Sequence, residues 1–173
     1  MKKMMKSAVY FSLLFITVSA HTQTHYYEIV PDKETKVLKG FLERSDIESD
    51  TAFKWFKQNM QYGRADDAAV NAFKQNSGKF SVIIFAGTWC EDSQNMLPVF
   101  YRLADKAAMP ADNIFLIGVD RDKATLQNLQ KAFNVTLVPA FIVMKDGKEV
   151  GRVIEYGKYG QIDKDLGEIV SAL

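Results

Sequence analysis

The chain has 173 residues, 47% hydrophobic and 25% charged, with a formal net charge of +1. That suits one compact domain with a single core and some decoration, and it gives no electrostatic reason to expect nucleic acid or a strongly anionic partner. One cysteine and two histidines are too few for a metal-holding cluster, so no metal or other cofactor is expected.

In chain order, Lys2, Lys3 and Lys6 come first, without any acid. An almost continuous apolar run from Ala8 to Val18 follows, then the small-residue pattern Val18-Ser19-Ala20. This is the layout of a secretory signal peptide over residues 1–20, too short to span a bilayer as a helix; an uncleaved anchor is the rival reading. No cysteine follows the cleavage pattern to carry a lipid. Three of the 22 basic residues leave with the segment, so 19 face 21 acids and the mature charge is −2. The mature protein is expected to be exported, to the periplasm, with no stable membrane insertion after cleavage. In an oxidising compartment an odd cysteine points to a reactive thiol or an intermolecular bridge. The plainer reading is an inert buried thiol.

Residues 21–78 read as an N-terminal extension. Tyr26–Val30 and Val37–Leu42 are short strands around a Pro31-Asp32 turn. Ser45-Asp46-Ile47-Glu48 fits a capping box, with Ser49 or Asp50 as rival caps. The helix behind it carries Phe53, Phe56 and Met60 on one stripe and stops near Gly63. Asp66 or Asp67 caps a shorter helix with Ala69, Val70 and Phe73.

From residue 79 the pattern alternates. Phe80–Ala86 is a strand covered on both faces. A helix runs from about Cys90 to Ala107 through Pro98, and Ile114–Val119 is a second buried strand. Leu126, Leu129, Gln130 and Phe133 predict a third helical stripe. Phe141–Met144 and Glu149–Ile154 flank the hairpin signal Asp146-Gly147, and a last helix runs from about Ile162 to Leu173. This order implies an α/β fold: a central mixed sheet, parallel pairing first and an antiparallel hairpin last, with helices on both faces.

Phe85-Ala86-Gly87-Thr88-Trp89-Cys90, Pro98 eight residues after the cysteine, Phe133-Asn134-Val135-Thr136-Leu137-Val138-Pro139 and the Asp146-Gly147 hairpin together resemble the thioredoxin superfamily over about residues 79–173. Arg44, Phe53-Lys54-Trp55-Phe56, Asn59-Met60 and Tyr62, with Cys90-Glu91-Asp92-Ser93, further resemble a group of exported Bacteroidetes-type thioredoxin-like proteins. The resemblance implies a thioredoxin-like fold preceded by a helical N-terminal extension. It also implies a cis Val138-Pro139 bond whose loop holds an extended substrate by backbone hydrogen bonds.

Departures from the pattern bear on the chemistry. A dithiol reductant needs a second cysteine to resolve the mixed disulfide, and Ser93 stands there. The buried acid that the family places six residues before the first cysteine is Ile84, and Ala140 follows Pro139. Dithiol turnover is therefore lost. The attacking half remains: a helix N-terminus favours a thiolate at Cys90, while Glu91 and Asp92 oppose it, so a mildly activated thiol is expected. Ser93 can still offer its hydroxyl to the thiolate. Asp92 is either a proton shuttle or a first-turn cap. Trp89 is a substrate platform or rim packing. Asp120-Arg121-Asp122-Lys123 reads as a solvated cap, and Trp55 with Phe56 as half core and half cover, with a groove for a partner as the alternative.

Two functions stay open. One is monothiol thiol–disulfide exchange or isomerisation at Cys90, with protein or small-molecule thiols and disulfides as partners and an external thiol reductant to release them. The other is a redox-inactive binding module using the surface of Trp89, Val138 and Pro139. A cysteine hydrolase lacks a suitable histidine, since only His21 and His25 exist. A peroxiredoxin-type peroxidase would want Thr where Gly87 stands.

Overall fold

A computed structural model describes residues 26–173. The signal-peptide expectation for residues 1–20, and His21 and His25, lie outside the described residues.

The chain enters as β1, Tyr27–Val30, and returns as β2, Val37–Leu42, antiparallel to it, with Tyr27 opposite Gly40 and Val30 opposite Val37. Asp32 builds the turn between them: its Oδ1 accepts the N–H groups of Glu34 at 2.9 Å and Thr35 at 3.0 Å. This is an Asx turn, the usual service of an aspartate just after a strand.

Two short helices follow instead of the continuous one expected. Helix α1 is Arg44–Glu48 and α2 is Lys54–Met60, with a 3₁₀ turn at Thr51–Phe53 between them. The capping box falls two residues earlier than predicted, because Glu43 is the cap and its N–H donates to Asp46 Oδ2 at 2.8 Å. Asp50, the rival cap, serves the 3₁₀ turn by accepting from Ala52 N–H. Helix α3, Asp67–Gln75, is capped by Asp66, whose Oδ1 accepts from Ala69 N–H at 2.8 Å.

The remaining elements follow the expected order. They are β3 (Ser81–Ala86), α4 (Glu91–Ala107), β4 (Ile114–Gly118), β5 (Ala140–Lys145), β6 (Lys148–Ile154) and α6 (Ile162–Ser171). The exception is the third helical stripe, which shrinks to the single turn α5, Leu129–Ala132. Gln127 and Asn128 sit at φ 57° and 58°, left-handed positions that stop a helix from starting at Leu126. The hairpin between β5 and β6 turns through Asp146 (φ 50°) and Gly147 (φ 73°), the pair of positive φ values a tight hairpin needs.

Among the described residues all six strands share one sheet in the order β1-β2-β4-β3-β5-β6. Among these strands β3 and β4 form the parallel pair; β2 pairs antiparallel with β4, and β3 with β5. Alternate residues of β3 feed two separate cores. Val82, Ile84 and Ala86 point to the side covered by α2, α3, α4 and α6, where Phe53, Phe56, Phe73, Phe100 and Phe141 pack. Phe85 points to the other side, where Ile117, Val119, Val135, Val138 and Ile142 gather under Phe133 and Leu129. The cover is unequal. Among the described residues α5 is the one α-helix on that second side, and Phe41 and Phe115 there are 45% and 44% exposed. Among the described residues no helix is long and apolar enough to cross a membrane.

Candidate functional site

Cys90 caps the N-terminus of α4 with extended backbone, φ −90° and ψ 122°, after β3 has ended at Ala86. The loop between is tied down at each residue. Gly87 N–H donates to Ser93 Oγ at 3.2 Å, Thr88 carbonyl accepts from Gln94 Nε2 at 2.9 Å, and Cys90 N–H donates to Gly87 carbonyl at 3.0 Å. Thr88, 2% exposed, also reaches into the extension: its hydroxyl donates to the Lys36 carbonyl at 2.9 Å and accepts from Leu38 N–H at 3.2 Å.

The thiol itself is half-buried, and its S–H points at the Val138 carbonyl, 3.6 Å away. The Val138–Pro139 bond is cis, both residues are buried, and the Pro139 carbonyl accepts from Glu155 N–H at 2.7 Å. Cys90, Val138 and Pro139, far apart in sequence, are thus brought together.

The other candidates take different posts from those expected. Ser93 is fully buried, and its hydroxyl oxygen is engaged by Gly87 N–H. It bonds to the loop and not to the sulfur. Asp92 receives the Tyr156 phenol at 2.5 Å, which fastens the loop after β6 to the first turn of α4. That hydrogen bond, followed by burial and the Asp92 charge, raises the Tyr156 phenol above its ordinary range and keeps it a donor. The Trp89 indole is anchored to the end of β4: Nε1–H donates to the Val119 carbonyl at 3.0 Å. A Cβ on Gly87 would lie 2.8 Å from indole Cε2 and Nε1, so only glycine leaves room for the ring.

Arg121 is the residue that sequence reasoning left as a solvated cap. Its guanidinium carbon lies 5.5 Å from the centre of the Trp89 ring, and its nitrogens pair with Asp32 and Glu34 in the β1–β2 turn at 2.6 Å and 2.7 Å. Next to it, Asp120 pairs with Lys39 of β2 at 2.7 Å. Burial acts to raise the Asp120 carboxyl, but the Lys39 ammonium and Ala124 N–H outweigh it and leave it below the usual carboxylate range. Residues 89 positions apart cannot be paired from one sequence, and an aromatic in the Glu155-Tyr156-Gly157 loop carries no spacing signal. Arg121, Asp32, Glu34 and Tyr156 were therefore missed. Farther from the thiol, Arg44 lies over the Phe56 and Tyr101 rings at 5.7 Å and 5.0 Å, and Trp55 packs edge-on to Phe53 and Phe56.

A mixed sheet with a half-buried cysteine at the end of its first parallel strand, opposed by a proline loop, defines a thioredoxin-type domain. A sequence profile of the thioredoxin family matches residues 64–168, more than half of the chain, and the protein belongs to that family. It is similar to Thioredoxin H2 of Arabidopsis thaliana, 30% identical over 95 residues that cover 55% of this chain and 66% of the relative. Thioredoxin H2-2 of Oryza sativa subsp. japonica is 31% identical over 106 residues, 61% of this chain and 74% of the relative. Among solved structures, thioredoxin NaTrxh from Nicotiana alata is 32% identical, with a TM-score of 0.41 over 57% of this chain and 79% of that one. The chain spans just under two thirds of the length of Thioredoxin H2.

Proposed function

We infer that this is an exported, periplasmic member of the family, akin to the Bacteroidetes-type group, that performs monothiol thiol–disulfide exchange through Cys90. The observation that carries the reading is the placement of the Cys90 sulfur: half-buried at the start of α4 and 3.6 Å from the Val138 carbonyl. The Val138 N–H has no partner among the described residues, which suits an extended substrate laid along this loop. In the reaction the Cys90 thiolate attacks one sulfur of a substrate disulfide. A new S–S bond forms, the old one breaks, and its electron pair leaves with the second thiolate, while the proton lost by Cys90 passes through solvent to that leaving group. The covalent complex then waits for an external thiol to repeat the exchange, because Ser93 cannot form a disulfide.

A second reading, a redox-inactive binding module at Trp89, Val138 and Pro139, is favoured by one observation: the Ser93 and Asp92 side chains are engaged elsewhere. The alkylation rate of Cys90 against pH, in folded and unfolded mature protein, separates the two. Exchange requires a folded thiol that reacts at least as fast as the unfolded one near neutral pH, together with mixed disulfides that vanish in Cys90→Ser. A folded thiol slower at every pH, with no trapped disulfide, leaves the binding module.

A further inference from the structure

The family match begins at residue 64, yet the ring beside the thiol is held by residues that precede it. The Trp89 indole has its N–H committed to Val119 and rests against Gly87. The guanidinium over it is not a loose surface cation. Arg121 Nε donates to Asp32 Oδ2 at 2.6 Å, and Nη2 donates to Asp32 Oδ1 at 3.2 Å and to Glu34 Oε2 at 2.7 Å. Asp32 is fixed before it meets Arg121, since its Oδ1 also organises the turn through Glu34 N–H and Thr35 N–H. The neighbouring Asp120 is bonded to Lys39 and to Ala124 N–H, so the backbone beside Arg121 is held as well. A two-point carboxylate clamp sets the plane of a guanidinium, and a planar cation stacks on an indole face in a defined orientation.

We propose that Arg121 is a positioning residue for the Cys90 site, set by the β1–β2 turn through Asp32 and Glu34, so that the N-terminal hairpin is part of the working site. Arg121 keeps the indole back against Gly87 and Val119, and this holds the ring in one pose for the substrate chain. The proposal rests on the reading of Cys90 as an exchanging thiol. A plain surface staple would use the same ion pairs but would act on stability alone.

The test is made in a Trp55→Phe background, where Trp89 is the only tryptophan. Three quantities are measured: acrylamide quenching of Trp89, Cys90 exchange with the 2-mercaptoethanol mixed disulfide of an uncharged cysteine peptide, and Cys90 alkylation by iodoacetamide, which needs no positioned partner. Arg121→Gln is expected to raise quenching and slow exchange about fivefold, the scale set by one lost stacked cation, while alkylation changes by less than about twofold. Asp32→Asn should reproduce this by releasing the guanidinium, and Arg121→Lys, a cation without the clamp, should fall between. Unchanged quenching in both Arg121→Gln and Asp32→Asn overturns the proposal, as does an equal fall in exchange and alkylation. If the parent protein shows no exchange, the reading of Cys90 fails separately, and the quenching measurement still decides whether Arg121 places the ring.

Discussion

At the residue scale the side chain three positions after the cysteine serves the loop that carries the thiol. Ser93 holds the Gly87 N–H inside the site loop, away from water. Removing its hydroxyl leaves a buried donor unpaired, so Ser93→Ala is expected to lose about 1–3 kcal/mol of unfolding free energy in urea titrations. Alkylation of Cys90 should keep its wild-type rate, because the hydroxyl's partner is the loop. The sequence made Cys90, Pro98 and Val138-Pro139 legible, since each stands at a fixed spacing that one chain displays. It could not show that Asp92 meets Tyr156 or that Arg121 meets Asp32, because those contacts depend on three-dimensional closure.

At the scale of elements, α3 and α6 cross closely. A Cβ on Gly167 would come within 2.6 Å of Ala69 Cα and Cβ, and the same crossing is tied by the hydrogen bond from Asp66 N–H to Asp163 Oδ2 at 2.8 Å. Gly167→Ala sets two effects against each other. Alanine is better than glycine in a helix interior by up to ~1 kcal/mol. The added methyl has to push two helix backbones apart, and overpacking of that kind costs about 1–3 kcal/mol. The crossing should win, so thermal unfolding of Gly167→Ala is expected below that of the parent. Periodicity located these helices well, as it did α4 and the β5–β6 hairpin. It overestimated α5, where the apolar stripe from Leu126 to Phe133 is real but two left-handed residues break the backbone beneath it. It also merged α1 and α2, because the stripe of Phe53, Phe56 and Met60 says nothing about where the cap falls.

For the whole molecule, acidity is the condition to vary. The Arg121 guanidinium, with the Glu34 and Thr35 N–H groups, holds the Asp32 carboxyl well below the usual carboxylate range. The Lys36 ammonium does the same for Asp50 and the Arg152 guanidinium for Glu149, and Asp120 is depressed as well. A carboxyl depressed in the folded state stabilises the fold above its unfolded pKa and loses that contribution as pH falls through the folded value. The melting temperature should therefore stay level from neutral pH down to roughly pH 4, the ordinary carboxylate value, and fall below it. Asp120→Asn should start lower and fall less steeply, as read by calorimetry across pH.

The strand β2 lies between β1 and β4, inside the sheet, although it precedes the family-matched stretch. A fragment trimmed to residues 64–168 would turn β4 into an open edge with Phe115 beside it, strip Thr88 of both its backbone partners and leave Arg121 without its carboxylates. Such an edge invites pairing with another chain. The boundary drawn by likeness and the boundary drawn by cohesion fall at different places here: the sheet and the site loop both draw on the stretch from Asp32 to Leu42, ahead of residue 64.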